Sequence, residues 1–574
     1  MSAPSPDVET LGDRALVVRF SDAIGAATTA RVLAAWRRLA DAAIPGVVDL
    51  VPAYTTLTVH YDWTALADDA RETPWQPLAC AILEVLEGTH ADVATSVGRD
   101  VELPVVYGGD AGPDLDALAL ENGLDAAEIV RRHSGCAYTV AFLGFRPGFP
   151  YLLGLDPALA AARLPTPRSH VPAGSVGIAG AQTGVYPAAG PGGWRIIGRT
   201  AKALFDPATD PPSLLAPGDR LRFVPVDPAD AEPTHDADTG DGPGDRADHT
   251  GDIEVLSPGI HTSVQDLGRR GWRHLGIGAG GASDTIAATL ANAMVGNAPD
   301  AAVLELTLRG PDLRFAVDAV IALAGDGMDA FADGDAIPFA RPVALRAGTT
   351  LSFRATGTGA RAWLAIAGGV DAPRWLGSAS AELGSGIFGR AVRAGDRIGI
   401  GPARAAAARL PAGRHWQAAS WWVDARAEID SPMILRFVAD AGAGGDLLRA
   451  LTAQVWRAST AADRRGVRME GRPLDVPPGA GRGISAGVMQ GTIQLPPDGQ
   501  PILLGPDCQT TGGYTVAGHV IEADLPRLAQ LKPGDLAWLQ PVSIDEAHAA
   551  RRVQATSLRR LHVAISAKLR VTTT

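Results

Sequence analysis

Short runs in which apolar and polar residues alternate recur along most of the chain, and this period of two is typical of β-strands. Near the N-terminus, residues 15–20 and 56–61 show this pattern. Residues 29–43 instead place apolar side chains at helical spacing, and residues 78–86 do the same. We therefore predict a small α+β domain over residues 1–98.

A second unit is predicted over residues 99–226. It opens with the run VELPVVYGG at residues 101–109 and then contains a helix, because Asp125 and Glu128 have the spacing of a capping box that starts a helix running toward Arg132. Beyond His133, short apolar runs alternate with Gly and Pro turns, which predicts an irregular β-barrel or sandwich.

Strand patterns also dominate the chain after residue 253. We predict a β-rich barrel domain over residues 253–428, a second barrel over 429–544, and a C-terminal helix and tail over 545–574, with the helix ending near Leu561. Within the first of these units the sequence predicts one helix, for which Ser283 is the candidate N-cap and Gly296 and Asn297 mark the candidate end.

Two motifs occur twice in the same order, which indicates an internal duplication. The run QTGVY at residues 182–186 is followed by LAPGDRL at 215–221, and QTTGGY at 509–514 is followed by LKPGDL at 531–536. Tight turns at residues 172–174 and 497–499 precede the two Q-T pairs. A P-G-D turn alone is a common entry into a strand, but the shared order favours duplicated barrels.

The length of the chain and the distribution of its charge predict a linker between the second unit and the β-rich units that follow. The 574 residues correspond to about four domains, and 46% hydrophobic with 20% charged residues is ordinary for a globular protein. Residues 227–252 carry a net charge of -8 out of a total of -12. Their Asp, Gly, Pro and Thr composition predicts a flexible linker. The remainder is nearly neutral, so we expect neither nucleic acid nor a membrane surface as a partner.

Several site classes are excluded by the residues themselves. None of the lysines, Lys202, Lys532 and Lys568, follows a glycine or lies between methionines, so there is no P-loop and the chain carries no covalently bound biotin. No HExxH or GxSxG motif occurs. Three separated cysteines and an N-terminus without the pattern of a signal peptide predict a cytoplasmic protein. The longest stretch without charge, residues 169–194, is too rich in Gly and Pro for a membrane helix.

Three segments are dense in side chains that bind ligands. Residues 142–151 combine aromatics with Arg146, residues 171–200 space Gln, Tyr, Trp and Arg with glycines, and residues 257–284 lead through a glycine-rich loop into a helix whose N-terminus could face an anion. Taken singly, each residue has an alternative role in packing or in a solvated turn. Together they predict a pocket for a carboxylate, amide or phosphate group.

These segments resemble a known family. LGFRPGFPYL, PAGSVGIAGAQTGVYP and GPGGWRIIGRT are similar to the B component of the bacterial 5-oxoprolinase and allophanate-hydrolase-like family. SPGIHTSVQDLGRRGW, GASD, VLELTLRGP, IAGGVD, LPPDGQPILL and DCQTTGGY are similar to its C component. The chain therefore resembles a fusion of the two components. The resemblance implies a small N-terminal α+β domain followed by duplicated cyclophilin-like β-barrels.

The resemblance also implies a function. It implies ATP-dependent opening of 5-oxoproline to glutamate, with ATP and Mg²⁺ as cofactors, a small amide as substrate and a separate A-type subunit of 5-oxoprolinase as partner. Two alternatives stay open, because relatives include the carboxyltransferase domain of urea amidolyase and regulators of a histidine kinase. The sequence leaves open whether the chain forms a homo-oligomer.

Candidate site residues follow from the motifs and the resemblance together. We assign Arg199 and Arg269 to anion binding and Asp266 to metal or base chemistry, with no metal ligand set defined. Gln182 and Gln509 are candidates for amide recognition. The other predicted substrate contacts are Phe149, Tyr151, Thr183, Tyr186, Trp194, His261, Gln265, Thr510, Thr511 and Tyr514.

Two motifs depart from the pattern of the family. Relatives often read S-D-R-M-G where this chain has ADRRG at residues 462–466, and S-E-G-V where it has SAGV at 485–488. An acidic side chain is thus absent at Ala486, and a base or metal ligand would have to come from another carboxylate. The remaining acidic candidates are Asp266, Asp284, Asp463 and Asp507.

Overall fold

The structure is a computed structural model that describes residues 6–66, 75–87, 98–229, 251–402, 413–424, 429–476 and 484–572. Most of the predicted linker, residues 230–250, lies outside the described residues, so the prediction of a flexible segment stays a prediction.

The N-terminal domain is a four-stranded sheet covered by helices, as predicted. Its strands have the order β1-β2-β4-β3, and Leu16, Val18, Leu57 and Val59 pack against the helices. The opposite face of the sheet is also buried, because the C-terminal half of the chain covers it. The elements are β1 (Asp7–Leu11), β2 (Ala15–Arg19), α1 (Ala26–Ala42), β3 (Val47–Pro52), β4 (Thr56–Tyr61), α2 (Trp63–Leu66) and α3 (Trp75–Leu86).

The second unit is a closed seven-stranded barrel with the order β10-β7-β6-β13-β5-β12-β9. Asp125 caps its second helix as predicted, since its carboxylate accepts a hydrogen bond from the Glu128 backbone N–H at 2.7 Å. The elements are β5 (Asp100–Tyr107), α4 (Leu115–Asn122), α5 (Ala126–Ser134), β6 (Tyr138–Leu143), β7 (Pro150–Leu153), β8 (Arg168–Val171), β9 (Ser175–Ala179), β10 (Gln182–Val185), β11 (Gly190–Gly192), β12 (Arg195–Arg199) and β13 (Arg220–Pro225).

The middle unit differs from the barrel expected there, because its strands form a seven-stranded and a six-stranded sheet that share one apolar core. Its helix is capped by Asp284 and not by Ser283, whose hydroxyl donates to Glu305 instead. The elements are β14 (Ile253–Ser257), β15 (His261–Gln265), α6 (Thr285–Met294), β16 (Val303–Thr307), β17 (Asp312–Phe315), β18 (Ala319–Gly325), β19 (Met328–Ala332), β20 (Asp335–Ile337), β21 (Val343–Leu345), β22 (Thr350–Ala355), β23 (Arg361–Ile366), β24 (Val370–Asp371), β25 (Arg397–Ile400) and β26 (Trp416–Ala418).

The last unit is a second closed seven-stranded barrel, followed by a C-terminal helix that is longer than predicted. Ile565 of this helix is buried against α6. No helix within the described ranges has the length and apolar character needed to cross a membrane. The elements are β27 (Met433–Ala439), α7 (Gly445–Thr452), β28 (Trp456–Asp463), β29 (Gly466–Glu470), β30 (Ala486–Gly487), β31 (Thr492–Leu495), β32 (Ile502–Leu504), β33 (Thr511–Gly512), β34 (Thr515–Val520), α8 (Leu525–Ala529), β35 (Leu536–Val542) and α9 (Ile544–Thr572).

The two barrels have the same connectivity, which confirms the duplication. In each, the first strand pairs in parallel with the last, β5 with β13 and β27 with β35, and the other strands follow in the same cyclic order. The P-G-D turns are equivalent, because Asp219 and Asp535 each precede the last strand by one residue. Each carboxylate accepts a hydrogen bond from the backbone N–H three residues earlier, at 2.9 and 3.1 Å.

The predicted equivalence of the two Q-T pairs is wrong. Gln182 begins β10, a strand of the barrel wall, whereas Gln509 precedes β33, which pairs only with β30 outside the wall. The counterpart of β10 in the second barrel is β32. The two motifs resemble each other in sequence but occupy different positions along the barrel chain.

Candidate functional site

Loops from three units meet at one place, which we call the junction. The segment after β6, the segment between β15 and α6, and the loop between β32 and β33 contribute to it. Leu143 forms a parallel bridge with Leu275, and the Gly148 N–H donates to the Leu275 carbonyl at 3.0 Å. A Cβ on Gly144 would lie 1.9 Å from Thr511 Oγ1, so only glycine permits this approach. The junction therefore holds the N-terminal and C-terminal halves together.

A buried arginine links the second barrel to the middle unit at the junction. Arg464 donates two hydrogen bonds of 2.9 Å to the Asp507 carboxylate and pairs with Glu305 of β16. It also donates to the Gly281 carbonyl at 2.6 Å and to Ser283 Oγ at 3.2 Å. Burial alone would lower the pKa of Arg464, but the two carboxylates raise it above its usual range. The guanidinium is thus charged and fully hydrogen-bonded.

Arg269, one of the predicted anion-binding residues, lies beside this cluster. Its Nη2 donates to the Ser380 carbonyl, and its guanidinium lies 5.2 Å from the Trp375 ring centre and 5.9 Å from that of Phe388. Within the described part of the chain, its buried Nε and Nη1 have no hydrogen-bond partner. Burial lowers the pKa of Arg269, and nearby Glu382 opposes this shift. Two nitrogens with unpaired N–H groups on a buried cation suit a carboxylate or phosphate oxygen.

Asp266 has a different environment from the one predicted for it. Its carboxylate accepts hydrogen bonds from the hydroxyls of Ser378 and Ser380, both at 2.6 Å, and from the backbone N–H groups of Ala379 and Gly268 at 2.7 and 2.8 Å. These bonds occupy both oxygens and fix two loops together. The geometry therefore favours a positioning role over the predicted base or metal chemistry.

The predicted aromatic residues form one packed cluster. The Phe149 ring centre lies 5.1, 5.3 and 5.5 Å from those of Tyr151, Tyr186 and Trp194. Tyr54 of the N-terminal domain adds an edge contact with Phe142. Burial raises the pKa of both Tyr151 and Tyr186 to about 12. The cluster is an apolar support for the junction, with neutral tyrosines.

A cavity of about 390 Å³ opens next to the junction, and we call it the junction cavity. The N-terminal domain, the first turn of α6, the second barrel and α9 line it. Three of its arginines are paired with carboxylates: Arg270 with Asp62 at 2.9 Å, Arg273 with Asp49 at 3.8 Å, and Arg551 with Glu522. The α6 N-terminus is occupied by the carboxylate of Asp284, not by space for an external anion. The lining therefore suits a polar ligand of low net charge.

The two halves of the chain match two models of one domain family. Residues 6–215 match the carboxyltransferase domain, subdomains C and D, and residues 275–541 match its subdomains A and B. The first half is 41% identical over 226 residues to the B component of 5-oxoprolinase from Bacillus subtilis, covering 94% of that protein and 39% of this chain. The chain belongs to the carboxyltransferase-domain family. Its second half is 33% identical over 305 residues to the C component of 5-oxoprolinase from Escherichia coli, covering 95% of that protein and 53% of this chain.

A solved structure shows the same arrangement of the family's two parts in one chain. The crystal structure of TTHA0988 is 34% identical, superposes with a TM-score of 0.79, and covers 92% of this chain and 99% of that one. Urea amidolyase of Saccharomyces cerevisiae is 29% identical over 333 residues, which is 18% of its length and 54% of this chain. This family member is therefore a fusion of B-type and C-type parts, as the motifs imply.

Some predicted residues of this family member lie at or near the junction. Thr511 contacts Gly144, Thr510 is buried beside it, and Gln509 Nε2 donates to Gln494 Oε1 at 3.3 Å. The pKa of His261 is lowered by burial and then by Arg464, which places His261 near the buried arginine. Gln265 is fully buried and donates to Ser263 Oγ at 3.0 Å.

Other predicted residues lie elsewhere. Thr183 is enclosed in the first barrel, where its hydroxyl donates to the Gly177 carbonyl at 3.0 Å. Gln182 is half-buried at the start of β10, and Arg199 Nε donates to the Ala173 carbonyl at 2.8 Å. Tyr514 has an exposed fraction of 43%. Their predicted substrate contacts stay predictions, since the structure does not bring them to the junction.

Several residues of the junction and its cavity were missed from the sequence. Glu305 is a carboxylate inside an apolar strand, and a buried charge in such a run signals a specific partner. His60 follows Thr56 and Thr58 at a spacing of two, which marks a polar strand face. Glu382 carries no comparable signal; burial and then Asp507 raise its pKa.

Asp284 provides a pH-dependent test of the cavity lining. Burial raises its pKa from 3.8 to about 6, although the N–H groups that it caps lower it. The folded state therefore releases this proton at higher pH than the unfolded chain. We expect the wild type to lose up to roughly 3 kcal/mol of stability relative to Asp284→Asn as the pH rises from about 4 to above 6, since asparagine caps equally well without a charge. Thermal unfolding midpoints of both proteins across this range measure the effect, and a constant difference would contradict it.

Proposed function

We propose that this chain is the fused B and C component of a 5-oxoprolinase, which opens 5-oxoproline to glutamate with ATP hydrolysis and a separate A-type subunit. One observation carries the proposal. In consecutive halves, the chain covers 94% of the B component and 95% of the C component of 5-oxoprolinases, but it covers only 18% of a urea amidolyase. This coverage supports a chain built from the parts of the first enzyme, joined end to end.

The chemistry needs an activated amide and a place for negative charge. A lactam carbonyl is a poor electrophile, and phosphorylation of its oxygen by ATP would create a leaving group. The free N–H groups of Arg269 offer donors for an oxyanion or phosphate oxygen. The junction buries this arginine to an exposed fraction of 2%, which strengthens such a contact.

The described residues form no recognisable site for ATP or Mg²⁺. The sequence has no P-loop lysine, and among the described residues no group of three or more His, Cys, Asp or Glu side chains is arranged to hold a metal ion. We therefore assign no step involving nucleotide or metal to named residues, and we propose a separate A-type subunit as a required partner.

A carboxyltransferase that acts on urea is the second candidate. The descriptions of both family models and the similarity to urea amidolyase favour it. Since the chain has no biotin-type lysine motif, such an enzyme would have to take carboxybiotin from another protein.

The test compares both candidates in one assay. The purified full chain is mixed with its A-type partner, and ATP hydrolysis is measured with 5-oxoproline, with urea and with neither. We expect stimulation by 5-oxoproline alone, with glutamate as product. Transfer of carboxyl from free carboxybiotin to urea, without stimulation by 5-oxoproline, would contradict the proposal and support the second candidate.

A further inference from the structure

Several buried polar atoms in the lining of the junction cavity have no hydrogen-bond partner in the described part of the chain. Among them are Nε2 of His60 on β4 and Nε of Arg14 at the end of the β1–β2 turn. Arg14 is held in place by a hydrogen bond from its Nη2 to the Gln490 carbonyl. Leaving a buried donor or acceptor unpaired costs roughly 1–3 kcal/mol, so these atoms call for a partner that enters the cavity.

The neighbouring strand β2 shows that polar side chains are not needed where this sheet packs against the second barrel. On β2, Ala15 and Val17 face the second barrel and pack with Met489. Their direct neighbours on β4 are His60 and Thr58, which are equally buried but polar. The hydroxyls of Thr58 and Thr56 also lack partners in the described residues. Thr58 packs against Gly487 of the second barrel, whereas His60 lines the cavity, so His60 is the residue of this face that is presented to a hydrogen-bonding ligand.

The charges around His60 and Arg14 favour a neutral group of the ligand at this place. Asp13 Oδ1 lies 3.8 Å from Arg14 Nε, beyond hydrogen-bond distance, and Asp49 Oδ2 lies the same distance from Arg273 Nε. Burial lowers the pKa of His60 well below its usual value, and Arg273 and Arg14 lower it further. The imidazole is therefore neutral and offers one acceptor nitrogen, while Arg14 offers one N–H donor.

We propose that the junction cavity binds the neutral amide group of a small molecule, whose carbonyl oxygen accepts from Arg14 Nε–H and whose N–H donates to His60 Nε2. An amide is the simplest group that presents a donor and an acceptor side by side. The proposal deepens the proposed function, on which it rests for the choice of a lactam as the amide. A cavity of about 390 Å³ is within the usual range for small-molecule sites.

The test uses 2-pyrrolidone, a neutral lactam, as the probe and titration calorimetry of the full chain without ATP or the A-type subunit. We expect His60→Leu to weaken binding at least tenfold, while the midpoint of thermal unfolding stays equal or rises, because an unpaired polar group is replaced by an apolar one of similar size. The matched control is His548→Leu, at a fully buried histidine of α9 that is not among the described residues lining the cavity. It should leave binding of 2-pyrrolidone unchanged.

The outcomes separate this site from the proposed function. Absence of ATP turnover with 5-oxoproline, together with 2-pyrrolidone binding that depends on His60, would refute the proposed function and support the site. Three results would overturn the site even if 5-oxoproline is turned over: no binding of 2-pyrrolidone by the wild type, equal binding by His60→Leu, or weaker binding together with a lower unfolding midpoint, which would indicate a structural role.

Discussion

Replacing Arg464 with methionine is expected to destabilise the protein by about 3–5 kcal/mol, because Glu305 and Asp507 would remain as buried carboxylates without their cation. Methionine keeps much of the apolar bulk of the side chain, so the loss of stability measures the contribution of charge and hydrogen bonding. The midpoint of thermal unfolding measures the effect. The cost should shrink as the pH falls and the freed carboxylates take up protons.

Arg465→Met is the matched control for this change. Arg465 follows Arg464 directly but pairs with Asp463 at the surface, where more than half of each side chain is exposed. A surface ion pair contributes roughly 0–1 kcal/mol, so this variant should unfold close to the wild type. Equal shifts for the two variants would contradict a special role for the buried cluster.

The second large effect concerns association of the two halves. Cleavage at a protease site introduced within residues 230–250 should leave the halves bound to each other at micromolar concentration. Their contacts include Asp62 with Arg270, the Asp13 carboxylate with the Glu522 N–H at 2.9 Å, and Gly144 against Thr511. Gly144→Val should separate the cleaved halves, because its side chain would occupy the position of Thr511. A sizing column distinguishes the two results.

Gly25→Val is the control for the valine substitution. A Cβ at Gly25 meets no described atom within 4 Å, and its φ of -169° is extended backbone that any residue adopts. This variant should therefore stay associated after cleavage. Separation of the cleaved wild type, or persistence of the cleaved Gly144→Val complex, would show that the halves are not held together at the junction.

Local signals allowed much of the fold to be predicted. The strand at residues 56–61 and the helix start at Asp125 were correct, because alternation and N-capping depend on neighbours in sequence. The Glu128 side chain does not complete the predicted capping box, since it pairs with Arg131 and Arg132. Ser283 failed as a cap because Glu305, which is 22 residues away, takes its hydroxyl. The Q-T pairs were misaligned because strand order, which fixes their positions, is a long-range property.

The candidate site was predicted only in part, because local sequence motifs reveal some of its residues and long-range contacts define the others. Arg269 and Thr511 lie in long motifs and could be found from the sequence. Arg464 lies in the ADRRG motif, but its role could not be predicted, since its partners Asp507 and Glu305 are 43 and 159 residues away. His60 and Arg14 belong to the N-terminal half of the chain. Only the docking of this half on the C-terminal half forms the cavity that they line.

Glutamate formation from 5-oxoproline by separated halves tests the central claim most directly. The cleaved wild-type chain is separated in denaturant, and each half is refolded alone or together with the other before the A-type subunit and ATP are added. We predict no glutamate from either half alone and recovery of the rate of the intact chain when both are present. Full activity of one half alone, or no activity from the intact chain, would contradict the claim that the two halves together form the working site.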